Sequence, residues 1–162
     1  MLYALLAAAL VALDQLVKFL VRSNIGLGES VPFLPHVLQF TYVQNTGAAF
    51  SLLEEHTWVL TLISLGASIL LAVLLFKKVF PHPFAMTCLS VVLAGAVGNL
   101  IDRVAFGYVT DMFKTTFMNF AVFNVADICL VCGIIALCIY VLFFYDKLEK
   151  KEEPHDAPDA DC

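Results

Sequence analysis

The sequence predicts a polytopic membrane protein built on four membrane-spanning helices. Three observations carry that prediction. Of the 162 residues, 61% are hydrophobic and 14% are charged, where a soluble domain carries about 25% charged residues. Mean hydropathy is +0.90. Four apolar runs, at about 1–21, 57–76, 84–101 and 125–145, are each of a length suited to a hydrocarbon core about 30 Å thick, and polar or Pro/Gly-bearing segments separate them. These runs define one transmembrane domain over 1–145, with outer loops at 22–56 and 104–124. Residues 146–162 form a charged tail whose composition predicts disorder. Most of the net charge of −5 resides in that tail. No basic patch is interleaved with aromatics, so nucleic acid is not an expected partner.

The first run is read as a retained span, because it lacks a basic n-region and Asp14 and Lys18 interrupt it. Those two residues stand four apart, so they share a helical face and can pair along it. That face is expected to turn inward, toward a polar site. Residues 22–56 hold turn signals at Gly26, Gly28, Pro32 and Pro35. The stretch VLQFTYVQ (37–44) then reads as a strand from its β-branched and aromatic content. Asn45-Thr46-Gly47 follows as turn chemistry. The second run is uninterrupted and has Trp58 near one end as an interfacial anchor.

The third run ends in GNLIDR (98–103). Ala94, Gly95, Ala96 and Gly98 favour close helix packing there. Gly95, Asn99, Asp102 and Arg103 are spaced to share one helical face or its edge. Asp102 beside Arg103 suggests a bidentate, orienting ion pair. The segment 104–124 reads as a polar-aromatic loop. The last run opens on Asn124-Val125-Ala126-Asp127, which places Asp127 in a first helical turn, where the helix dipole favours a carboxylate.

Counting Lys and Arg orients the chain. Lys77, Lys78, Lys147, Lys150 and Lys151 fall on one side, which should be cytoplasmic along with both termini. Every polar island in or beside the membrane then lies at one depth on the outer side. That arrangement points to a single site. If Asp111 is brought against Asp127, two carboxylates share a partly dehydrated place and like charge drives their pKa values apart. Such a pair can activate water and protonate a leaving amide.

Other chemistries have less support. Cys129 and Cys132 make a C-x-x-C inside an apolar run, where thiolates are disfavoured, so the pair reads as packing. The four histidines are scattered, and no metal site is expected. A small transporter or proton-coupled carrier is the alternative class, since buried Asp, Lys and Arg also mark ion pathways. The one-sided clustering of polar groups and the lack of an inverted repeat count against it. A non-enzymatic assembly factor is a third class.

Three runs, NTGAAFSLL (45–53), GNLIDRVAFGYVTD (98–111) and FNVAD (123–127), resemble the lipoprotein signal peptidases (type II signal peptidases) of bacteria, in order as well as in residues. Asp14 and Lys18 precede them as in that family, so the resemblance spans nearly all of 1–145. It implies an all-α fold of four transmembrane helices with a small extracytoplasmic β-cradle. It also implies an intramembrane aspartyl endopeptidase of the bacterial cytoplasmic membrane, with its site near the outer leaflet, cutting prolipoproteins before a diacylglyceryl-modified cysteine. On matching positions, Asp111 and Asp127 would be the catalytic dyad. Asn124, Ala126, Asn99, Asp102 and Arg103 would support the site, Asn45 and Gly47 would come from the cradle, and Asp14 and Lys18 would orient it. No cofactor or metal is implied. The expected partners are the lipid-modified substrates and membrane lipid, with the protein acting as a monomer. Ala121, Ile128 and the residues flanking Asp111 (Thr110 and Met112) depart from the family pattern.

Overall fold

The computed structural model describes residues 1–47 and 57–145. Its elements in order are α1 (Leu2–Asn24), β1 (Ser30–Leu34), β2 (Leu38–Asn45), α2 (Thr57–Phe76), α3 (Pro83–Phe106), β3 (Val109–Thr115) and α4 (Val125–Phe143). All four helices are long and apolar enough to cross a membrane. The spans expected from hydropathy are met in number and order, and the strand expected at 37–44 is β2, shifted by one residue. Part of the NTGAAFSLL run (48–53) and the tail (146–162) lie outside the described residues.

Helix α3 is the central pillar. Two-thirds of its most apolar stretch is buried, against about a fifth of the other three spans, and α1, α2 and α4 each pack on it. Its small residues allow this. A Cβ added at Gly95 would run into the Ala126 carbonyl oxygen, and across the same contact one added at Gly133 of α4 would stand 2.8 Å from Val92 Cγ2 of α3. Without hydrophobic drive between helices inside lipid, such backbone-to-backbone approach is what holds a bundle. Leu13, Leu16, Phe19, Ile63, Ile69, Val131, Ile134 and Ile135 remain exposed on the surrounding helices. Helix α1 buries Ala7, Asp14, Lys18 and Val21, so its inward stripe is polar at the centre while its large hydrophobes face outward.

Helix α1 runs three residues beyond 21, and two further boundaries differ from expectation. Helix α3 runs five residues beyond 101, ending where Gly107 takes φ 77° and donates its N–H to the Arg103 carbonyl. Only glycine adopts that left-handed cap without penalty. The apolar run stopped earlier because Asp102 and Arg103 interrupt the hydropathy, although both are good enough helix residues once they have partners. The segment 104–124, expected as a loop, contains β3. Its strand pattern was hidden because Val109–Met112 is buried without alternation.

The three strands form one antiparallel sheet in the order β1-β2-β3. A bulge between Phe40 and Val43 sets two β2 residues, Thr41 and Tyr42, against one on β3. Such a bulge re-aims the strand locally. After it, Val43 pairs with Asp111 and Asn45 with Val109. Val21 of α1, Tyr42 and Met112 form the small core that seats the sheet on the bundle.

Candidate active site

Asp14 and Lys18 begin the site from α1. They pair at 2.9 Å, and both side chains are buried. Lys18 Nζ also donates to Asn99 Oδ1 at 3.0 Å and to the Gly98 carbonyl at 3.4 Å, and it lies 3.6 Å from Asp102 Oδ2. Asp14 Oδ1 accepts the Ala126 N–H at 2.9 Å, tying α1 to the first turn of α4. The inward face expected for this pair is therefore the face observed. A buried charge in lipid is costly unless paired and hydrogen-bonded, and here every hydrogen-bonding atom finds a partner. Among the described residues, no buried side-chain nitrogen or oxygen is left unsatisfied.

Asp102 does not pair with Arg103, which corrects the expected bidentate link. Neighbours in a helix project about 100° apart, so the two diverge. Asp102 turns toward α1, where Gln15 Nε2 donates to Oδ1 at 3.2 Å and Arg22 Nη1 lies 3.8 Å from it. Its Oδ2 accepts the Thr110 N–H at 2.8 Å. Arg103 turns toward α2 and donates to Ser64 Oγ at 3.2 Å.

The two carboxylates expected to meet are gathered by one residue, Asn124. Its side-chain amide donates to Asp111 Oδ1 at 2.6 Å. Its backbone N–H donates to Asp127 Oδ2 at 3.1 Å, and its Oδ1 accepts the Asp127 N–H at 2.9 Å. The last two bonds are a reciprocal capping box that starts α4. Asn45 Nδ2 reaches Asp111 Oδ2 at 2.8 Å from β2, and Gly47 N–H closes an Asx turn onto Asn45 Oδ1 at 3.0 Å. Asn99 Nδ2 donates to Asp127 Oδ1 at 2.8 Å. Both oxygens of each carboxylate are thus held by neutral amide groups. Asp111 is 2% exposed, whereas Asp127 is half-buried.

Burial first, and then the charge of Asp127, push the Asp111 carboxyl up to about 6. The hydrogen bonds from Asn45 and Asn124 oppose the rise. Two carboxyls so placed, one of them with a raised proton affinity, have the arrangement that acid/base chemistry needs.

A family model described as signal peptidase (SPase) II matches residues 6–143. The chain belongs to that family. Signal peptidase II enzymes are aspartic peptidases, and the chain is accordingly a multi-pass membrane enzyme of that kind. It is 47% identical over 150 residues to the lipoprotein signal peptidase of Enterococcus faecalis, covering 93% of this chain and 92% of the relative. It is 42% identical over 148 residues to that of Clostridioides difficile, covering 91% and 99%. A solved bacterial membrane enzyme superposes with a TM-score of 0.83 at 32% identity, covering 95% of this chain and 94% of that one.

Within this signal peptidase II, sequence reasoning missed Gln15, Arg22, Ser64 and Thr110. Gln15 is adjacent to Asp14, and Arg22 lies one turn beyond Lys18, so the helical spacing 14, 18, 22 was a usable signal. Ser64 carried none, since a serine in an apolar span commonly bonds back to its own helix, as Ser68 does to the Ser64 carbonyl.

Proposed function

We propose that this enzyme is an intramembrane aspartyl endopeptidase that removes the signal peptide from prolipoproteins, cutting before a diacylglyceryl-modified cysteine. The observation that carries the reading is the coupling of Asp111 and Asp127 through Asn124, with no cation at ion-pair distance from either among the described residues. Asp127, the more accessible carboxylate, takes a proton from water as the water oxygen attacks the scissile carbonyl. Asp111, which retains its proton most readily, donates it to the carbonyl oxygen; as the C–N bond breaks, Asp127 passes the proton it took from water to the leaving nitrogen, and Asp111 recovers its proton from the gem-diol hydroxyl. Asn45, Asn99 and Asn124 fix the oxygens of the pair without neutralising it.

The family relationship supports a lipoprotein substrate. Lys77 and Lys78 lie between α2 and α3, and their charge favours a cytoplasmic placement for that end. In this orientation both termini are cytoplasmic and the sheet and carboxylates lie at the outer leaflet. Helix α2 packs on α3 and makes no comparable contact with α4 among the described residues. A lipid-anchored chain can approach the pair from that side of α3.

The test is cleavage of a diacylglyceryl-modified prolipoprotein by the purified protein in detergent. Asp111→Asn and Asp127→Asn should each lower kcat by about 10³-fold or more, the scale of lost acid/base catalysis. Full activity in either variant would remove that residue from the dyad.

A further inference from the structure

The residue beside Asp111 is gripped from the opposite side. Successive side chains of a strand point to opposite faces, so Asp111 faces Asn45 and Asn124 while Thr110 and Met112 face α1. Met112 is fully buried against Val21. Thr110, also fully buried, accepts a hydrogen bond at 2.9 Å from Arg22 Nη1. The guanidinium is fixed in turn: its carbon lies 4.5 Å from the Phe106 ring centroid, and Nη1 faces Asp102 Oδ1 at 3.8 Å. Asp102 Oδ2 accepts the Thr110 backbone N–H at 2.8 Å. One residue of β3 is therefore held by its hydroxyl from α1 and by its backbone from α3.

We propose that Arg22 and Thr110 are positioning residues for the reaction, a latch that fixes β3 so that Asp111 stands in register with Asp127. The inference rests on the reading of Asp111 as a catalytic group. Neither Arg22 nor Thr110 touches Asp111 or Asp127 by side chain, so their action passes through the backbone of β3. A planar guanidinium suits this task, since it can face a carboxylate, donate to a hydroxyl and lie on a ring simultaneously. Positioning of this kind matters because small displacements of a reacting group lower the rate steeply. The hydroxyl of Thr110 faces away from the carboxylate pair, so the latch acts on turnover and leaves substrate affinity alone.

The experiment measures kcat and KM for a diacylglyceryl-modified prolipoprotein, well below the unfolding temperature of each variant. Thr110→Val keeps shape and removes the acceptor; it should lower kcat about tenfold with KM within about twofold. Thr110→Ser restores the hydroxyl and should recover most of that loss. Arg22→Met should match Thr110→Val, and the double variant should lose little more than either single one, because both break the same contact. Wild-type kcat in Thr110→Val overturns the latch, as does a double variant whose losses multiply. No recovery in Thr110→Ser, or a loss that appears in KM instead of kcat, overturns it as well. Asp111→Asn run alongside separates the two readings: an active Asp111→Asn defeats the dyad, whereas an inactive one beside a fully active Thr110→Val defeats only the latch.

Discussion

Two clusters of buried polar groups lie side by side in this protein, and they are held in opposite ways. In the cluster between α1 and α3, cations and carboxylates meet: Lys18 with Asp14 and Asp102, and Arg22 with Asp102. In the cluster between β3 and α4, Asp111 and Asp127 are held by the amides of Asn45, Asn99 and Asn124. The first compensates charge and the second only orients it. Charges paired and hydrogen-bonded in this way suit the first cluster to hold the bundle together. Asp111, buried with only amides on its oxygens, has a raised proton affinity, which suits it to chemistry. Asn99 joins the two, accepting from Lys18 and donating to Asp127.

Breaking the compensated cluster should have the largest effect on stability. Lys18→Met leaves Asp14 buried without its nearest cation, and such uncompensated charges cost about 3–5 kcal/mol. The variant is expected to unfold at much lower temperature in detergent. Asp14→Leu combined with Lys18→Met removes the pair together and should regain part of the loss. A double variant less stable than Lys18→Met would mean that the pair is not the unit of compensation.

The uncompensated cluster should show itself through pH. Asp111 binds its proton more tightly in the folded protein than in the unfolded chain, with a value of about 6 against 3.8. Folding therefore takes up a proton between those values, and stability conferred by Asp111 declines as pH rises through that window, by about 3 kcal/mol in all. Relative to Asp111→Asn, the wild type should lose melting temperature between pH 4 and about 6 and then remain level. A difference between the two that does not change over this range would contradict the raised proton affinity.

A smaller effect is expected where the clusters share their support. Gly95→Ala drives a methyl group against the Ala126 carbonyl, and overpacking of this kind costs about 1–3 kcal/mol. Because Ala126 lies next to Asp127, kcat should fall more than the folded fraction does. A loss of kcat no greater than the loss of folded protein would confine Gly95 to packing.

How much of this was legible beforehand differs between elements for physical reasons. Lipid imposes a long apolar run on every span, so α2 and α4 could be placed within two residues. Asp102 and Arg103 interrupt that signal, so hydropathy predicts an end at 101, whereas α3 continues to Phe106. Strand β3 escaped because it is buried on both faces at Val109–Met112, which removes the alternation that marks a strand. Asp14 and Lys18 were legible as a pair because helical spacing alone puts them on one face. The direction of Asp102 was not, since its partners Gln15, Arg22 and Thr110 come from other elements.

The sequence by itself determined that four runs are long and apolar enough to span a membrane, and that Asp111, Asn124 and Asp127 fall in two runs that resemble one family. These are local or compositional properties, fixed by hydropathy and by spacing along the chain. Only the tertiary structure decided which charges compensate each other and which carboxyls are left to amides. That choice depends on the distance between α1 and α3, set by glycine packing, and on a bulge in β2 that delivers Asn45 to Asp111. Neither is encoded in any one segment, because an ion pair needs two elements to meet.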